Sequence, residues 1–208
     1  MDVNGCKFSP TLWPHQQAEL AHLNNGCTAR YLPWAMRTGK SAMAIAAAAQ
    51  WQARRILILC PKSVISVWCE QIATWQPSWR VLALDRGSVA RRAQHVASWQ
   101  GAVILNYEAA WRGQMAGAIL SQQWDVVIID ESHKIKAVSG RASRFVAMIP
   151  AAHKLALSGT PIPQGPLDWW AQFRFLAPGL LGRSYVAFKH RYTTPCRWGQ
   201  HDGVEVAK

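Results

Sequence analysis

The sequence predicts an α/β fold: a doubly wound parallel sheet covered by helices on both faces. Two observations carry this. Short apolar runs without polar alternation recur along the chain, and stretches of helical pattern separate them. Each chemically suggestive motif also begins where one of these runs ends, which is where ligands sit in open α/β sheets.

Taken in order, residues 41–51 are alanine-rich and read as a buried helix. Ile56-Leu57-Ile58-Leu59 follows as a strand. Residues 64–75 then place Val64, Ile65, Trp68, Ile72 and Trp75 along one helical face. Val81-Leu82-Ala83-Leu84 is the next strand and 86–99 the next helix. Val103-Ile104-Leu105 and Val126-Val127-Ile128-Ile129 are two more strands. Residues 139–149 form a helix leading to the strand Leu155-Ala156-Leu157. Strand–helix repetition at this spacing is the pattern of a doubly wound sheet. Beyond Pro161 the chain turns to Pro/Gly punctuation and two aromatic helices, 169–176 and 185–192. Repeats and low-complexity segments are absent.

A length of 208 residues suits one large domain, or one domain with a short appendage. Half of the residues are hydrophobic, enough for a sizeable core. The charge is lopsided: 23 Lys plus Arg against 11 Asp plus Glu, a net +12. From residue 132 to 197 the only acid is Asp168. A polyanionic partner is implied, and nucleic acid is the commonest one. Cys6, Cys27, Cys60, Cys69 and Cys196 are odd in number and contain no C-x-x-C pair, which disfavours a disulfide framework or zinc site and fits a reducing compartment. No apolar stretch reaches membrane-spanning length, and Met1-Asp2-Val3-Asn4 does not open a signal peptide. An intracellular protein without a membrane partner is therefore expected. The 12 tryptophans are scattered, as packing residues rather than a stacking platform.

Two motifs point to nucleoside-triphosphate chemistry. Arg37-Thr38-Gly39-Lys40-Ser41 reads as the end of a phosphate-binding loop. Backbone N–H groups and the dipole of the following helix favour phosphate, Gly39 lets the backbone approach, and Lys40 supplies charge. Trp34 stands at the first glycine position of the G-x-x-x-x-G-K-[ST] pattern, so the match is partial. Asp130-Glu131-Ser132-His133 directly follows a buried strand. There Ser41 and Asp130 are placed to hold Mg²⁺, and Glu131 to orient the attacking water. His133, two residues past Glu131, is placed to relay the nucleotide state to the turn beyond Leu157.

The pattern resembles the Swi/Snf-type ATPases of helicase superfamily two. Leu12-Trp13-Pro14-His15-Gln16 is similar to the opening glutamine motif, and Met36 through Ser41 to motif I. Leu59-Cys60-Pro61-Lys62-Ser63 followed by Trp68 resembles motif Ia, and Asn106-Tyr107-Glu108 is similar to motif Ib. Asp130 to His133 is motif II in its D-E-x-H form, and Leu157-Ser158-Gly159-Thr160-Pro161 resembles motif III. The most family-specific stretch runs from Gly159 through Ile162, Trp170 and Leu176 to Gly182.

The resemblance implies the first of two RecA-like domains, a three-layer α/β/α P-loop fold over residues 1–182, with 183–208 as a helical extension towards a second domain. It implies ATP and Mg²⁺ as cofactors, with Gln16 on the adenine and Arg37, Thr38, Gly39, Lys40 and Ser41 around the phosphates. Lys40, Asp130 and Glu131 would be catalytic, and His133, Ser158 and Thr160 would couple hydrolysis to movement. Pro61, Lys62, Ser63, Asn106 and Tyr107 would face the backbone of nucleic acid, most naturally duplex DNA. The bland alternative for Asn106-Tyr107 is a helix cap with a packed ring. Arg37 departs from the family, which usually has glycine there. A second RecA-like domain with its arginine-bearing motif has no room after Lys208, so a separate chain is expected to supply it. The alternative is a non-catalytic nucleotide- and DNA-binding module.

Overall fold

The protein is described by a computed structural model covering residues 11–85, 87–198 and 201–206, with side chains through residue 194. Six strands form one sheet: β1 (Ala29–Leu32), β2 (Arg55–Cys60), β3 (Val81–Ala83), β4 (Gly101–Asn106), β5 (Trp124–Asp130) and β6 (Ala151–Leu157). Their order is β1-β6-β5-β2-β4-β3, and every neighbouring pair is parallel. The helices are α1 (Pro14–Leu23), α2 (Lys40–Gln50), α3 (Ile65–Trp75), α4 (Val89–Ser98), α5 (Tyr107–Ala110), α6 (Gly113–Leu120), α7 (Arg141–Met148), α8 (Asp168–Leu176) and α9 (Tyr185–Tyr192). The expected doubly wound α/β architecture is what forms.

Strand periodicity explains the layering, because successive side chains point to opposite faces. Ile56, Ile58, Val126, Ile128, Leu155 and Leu157 meet Met43 and Ile45 of α2 and Trp68 and Ile72 of α3. Leu57, Leu59, Val103, Leu105, Val127 and Ile129 meet Val96, Met115, Ile119, Phe145, Val146 and Phe175 on the other face. Both faces are buried, so the runs read as continuously apolar. The alanines of α2 are all buried, and small side chains there let the helix lie close to the sheet.

Boundaries differ from the sequence reading in several places. The helix expected over 86–99 starts after Ser88, whose Oγ accepts from Arg91 N–H at 3.4 Å; Arg86 lies outside the described residues. Residues 62–64 form a 3₁₀ turn before α3. The extension expected to be helical is α9 followed by an antiparallel pair, β7 (Thr193–Trp198) with β8 (His201–Val206). Pro195 explains the switch: it cannot continue a helix, and it pushes Thr194 towards extended backbone. Cys6 and the side chain of Cys196 also lie outside the described residues.

Topology positions the site. Because β6 lies between β1 and β5, Leu32, Leu157 and Asp130 stand in one lateral row at the carboxyl edge. The next strands bring Cys60 and Asn106 to the same edge as a pair. Loop 33–39, the turn after Leu157, the Asp130–His133 segment and the loop after Cys60 therefore leave the sheet side by side.

Candidate active site

The loop between β1 and α2 closes on itself. Gly39, at φ 77, caps α2 in the left-handed region, and Arg37 also has positive φ, at 62. A non-glycine residue in that region costs about 1–2 kcal/mol, which is the physical reason for glycine where this chain has arginine. Arg37 is exposed. Thr38 Oγ1 donates to Ala35 O at 2.8 Å, and Lys40 Nζ donates to Trp34 O at 3.0 Å and Ala35 O at 2.9 Å. The ammonium is thus aimed back into the loop's concavity, where phosphate oxygens would replace carbonyls. Ser41 lies half-buried in the first turn of α2.

Gln16, the residue expected on the adenine, packs under the loop and is 2% exposed. Its Oε1 accepts from Trp13 N–H at 2.8 Å, closing the start of α1, while Nε2 donates to Thr38 O at 3.2 Å and Gly39 O at 3.3 Å. The amide thereby ties the start of α1 to the loop, bracing it through Nε2. His15 reinforces this with Nε2 at 3.1 Å from Thr38 O, and its ring meets Trp34 edge-on at 5.1 Å.

Asp130 ends β5 and is held from three sides. Its Oδ1 accepts from Glu131 N–H at 2.9 Å, its Oδ2 from Trp68 Nε1–H at 2.9 Å, and its backbone carbonyl from Tyr107 O–H at 2.6 Å. Burial raises the pKa of the Asp130 carboxyl, and the Trp68 hydrogen bond opposes that rise. Glu131 sits at φ 51, ψ 54, a left-handed conformation that a side chain adopts only when its surroundings enforce it. Its Oε2 lies 3.2 Å from His133 Nδ1, off the hydrogen-bonding direction, so this buried oxygen has no hydrogen-bond partner among the described residues.

His133, Ser158 and Thr160 come together as the sequence reading required. His133 Nδ1 is 3.2 Å from Ser158 Oγ and 3.3 Å from Thr160 Oγ1, and Ser158 Oγ accepts from Thr160 N–H at 3.1 Å. Behind them lies a buried polar joint that the sequence reading missed. Gln172 of α8, fully buried, accepts from Tyr31 O–H at 2.8 Å and Ser132 Oγ–H at 2.6 Å. It donates to Pro161 O at 2.7 Å and Asp168 O at 3.0 Å. A polar residue among the apolar neighbours Trp170, Ala171 and Phe175 was its one signal in the sequence.

The nucleic-acid expectation divides. Lys62 and Ser63 are exposed beside Pro61, as a phosphate-contacting edge requires. Asn106 is half-buried and Tyr107 buried, each with a hydrogen bond inside the protein. Asn106 Oδ1 caps α5 by accepting from Ala109 N–H at 2.7 Å, and Tyr107 is 4% exposed with its hydroxyl committed to Asp130. The helix cap with a packed ring is what forms.

Mg²⁺ fits the donor set. No cluster of three or more His, Cys, Asp or Glu among the described residues is arranged to hold a metal. One carboxylate with a hydroxyl at a helix start is what Mg²⁺ uses when substrate phosphates and water supply the remaining oxygens. Asp130, its carboxylate fixed by two donors, and Ser41 are the residues that would form such a pair.

The SNF2-related domain family matches residues 19–207. Among curated proteins the chain is similar to mouse DNA excision repair protein ERCC-6-like, 32% identical over 146 residues, which is 67% of this chain and 12% of the relative. It is similar to human DNA excision repair protein ERCC-6, 30% identical over 71% of this chain and 10% of the relative. It is also similar to the Schizosaccharomyces pombe TATA-binding protein-associated factor mot1, 30% identical over 67% of this chain and 7% of the relative. These spans are 12% or less of the curated relatives' length. Among solved structures, the Sulfolobus solfataricus SWI2/SNF2 ATPase core in complex with dsDNA superposes with a TM-score of 0.81 at 24% identity, covering 91% of this chain and 40% of that one. The Sulfolobus solfataricus SWI2/SNF2 ATPase core domain gives 0.75 at 25% identity, covering 91% and 39%.

Proposed function

The chain belongs to the SNF2-related domain family, and from that premise we propose that it is the ATP-binding half of a DNA-dependent ATPase. Completed by a second RecA-like domain, it would couple hydrolysis to movement along duplex DNA. The observation that carries this is the row Leu32, Leu157, Asp130, which sets the Lys40 loop, the Ser158–Thr160 turn and the Asp130–Glu131 pair side by side. Residues 1–182 are the ATP-binding domain on this reading, and 183–208 the extension towards the second one.

Each residue has a definite task. The N–H groups at the start of α2 and the Lys40 ammonium bind the phosphates. Gln16 holds the loop in its binding shape from below, and Arg37 adds charge at its mouth. Ser41 and Asp130 hold Mg²⁺, which when bound screens the phosphate charge. Glu131 orients water through its carboxylate. His133, Ser158 and Thr160 pass the state of Glu131 to the segment leading into α8. Lys62 and Ser63 contact DNA phosphates, so affinity for DNA should fall steeply with salt. An arginine from the second domain would supply on the order of 10³–10⁵ in rate, so the isolated chain should turn over slowly.

The test is steady-state ATP hydrolysis by the chain with and without duplex DNA, with Glu131→Gln as control. DNA-stimulated turnover that the substitution abolishes supports an enzyme active as it stands. ATP binding without turnover assigns the chain to an incomplete motor. Absence of ATP binding would overturn the proposal.

A further inference from the structure

Asp130 is restrained by two aromatic donors that come from outside its own strand. Trp68, 1% exposed, belongs to α3, which follows the loop after β2. Tyr107 opens α5, directly after β4. Both strands lie on the same side of β5, β2 pairing with β5 and β4 pairing with β2. An indole N–H donates and never accepts, so Trp68 Nε1 at 2.9 Å fixes which way Oδ2 faces. With Glu131 N–H on Oδ1, each carboxylate oxygen has one fixed donor and keeps a free lone pair. Tyr107 O–H, 2.6 Å from the Asp130 carbonyl, holds the peptide that leads into the left-handed Glu131. Backbone in that region persists only where neighbours enforce it, and this hydroxyl is one such neighbour.

We infer that Trp68 and Tyr107 are positioning residues, which hold the Asp130 carboxylate and the Asp130–Glu131 peptide in the orientation that a Mg²⁺–nucleotide complex requires. The inference rests on the ATP-binding reading above. Neither side chain touches the ligand; both act through Asp130. Partners of metal ligands behave in this way, and losing one typically lowers metal affinity about 10–100-fold.

The experiment is a Mg²⁺ titration of mant-ATP binding to the full chain, followed by fluorescence, for wild type, Trp68→Phe and Tyr107→Phe. Nucleotide affinity in EDTA and the melting temperature are measured beside it. Trp68→Phe should raise the half-saturating Mg²⁺ concentration by about 10-fold or more, and Tyr107→Phe by a smaller factor of several-fold. Affinity in EDTA, set by Lys40 and the loop, should stay unchanged. A merely structural role would lower the melting temperature and leave the Mg²⁺ midpoint in place below it. Tyr107→Phe removes one oxygen atom from a ring that stays packed, so it carries the test even if Trp68→Phe does not fold. Unmoved midpoints in the folded variants, or equal losses with and without Mg²⁺, would overturn the inference. Failure of wild type to bind mant-ATP under either condition would overturn the ATP-binding reading and this inference with it.

Discussion

Replacing Gly39 by alanine probes the phosphate loop at two points. At φ 77 the residue lies where an L side chain is strained, worth about 1–2 kcal/mol. A Cβ there would stand 2.1 Å from Gln16 Nε2. A side-chain end usually moves aside, but this one is buried and tied to the carbonyls of Thr38 and Gly39. Displacing it forfeits two hydrogen bonds of about 0.5–1.5 kcal/mol each. Alanine reduces unfolded-chain entropy, which returns about 0.4–1 kcal/mol. The net cost is about 2–4 kcal/mol, or a melting temperature lower by roughly 5–15 °C for a chain of this size. The assay is chemical and thermal unfolding of Gly39→Ala in wild-type and Gln16→Ala backgrounds. With Gln16 gone, only the backbone cost of about 1 kcal/mol should remain. Equal costs in the two backgrounds would refute the claim that Gln16 braces the loop.

Lys40→Ala should abolish measurable ATP binding in calorimetry while leaving the melting temperature near wild type, since the hydrogen bonds of its Nζ are to the loop carbonyls of Trp34 and Ala35. Glu131→Gln should retain ATP binding and lose any turnover, measured by phosphate release. Gln172→Ala should cost about 2–4 kcal/mol in urea unfolding, because Tyr31, Ser132 and the Pro161 carbonyl lose their shared partner inside the protein. Burial lowers the pKa of Lys154, whose Nζ donates to Phe175 O at 3.1 Å. Below that lowered pKa the desolvated ammonium costs stability, and the cost is relieved as pH rises towards the ordinary 10.5. Wild-type stability should therefore climb relative to Lys154→Met across that window, read as melting temperature against pH.

The fold was legible because both faces of the central strands are buried, leaving apolar runs too dense to mistake for loop. β1 escaped notice: Ala29-Arg30-Tyr31-Leu32 is an edge strand, buried only at Leu32, and its composition carries little strand signal. α1 was hidden for a related reason, burying only Gln16 and Leu23. The site's chemical residues were readable as motifs because phosphate and metal chemistry restrict residue type and spacing. Their supports were not. Trp68 reaches Asp130 across 62 positions and Tyr31 reaches Gln172 across 141, and sequence spacing carries no trace of such pairings. Asn106 and Tyr107 show the converse, a motif whose side chains the fold uses internally. Polar groups turned inward and outward look the same until neighbouring strands are placed.

The central claim is that the Lys40 loop and the Asp130–Glu131 pair form one Mg²⁺-dependent ATP site. Calorimetric titration of ATP into wild type, Lys40→Ala and Asp130→Ala, each with Mg²⁺ and with EDTA, tests it most directly. The account predicts saturable binding in wild type that Lys40→Ala removes and that no longer responds to Mg²⁺ in Asp130→Ala. Equal affinity in wild type and Lys40→Ala, or the same Mg²⁺ response in wild type and Asp130→Ala, would contradict it.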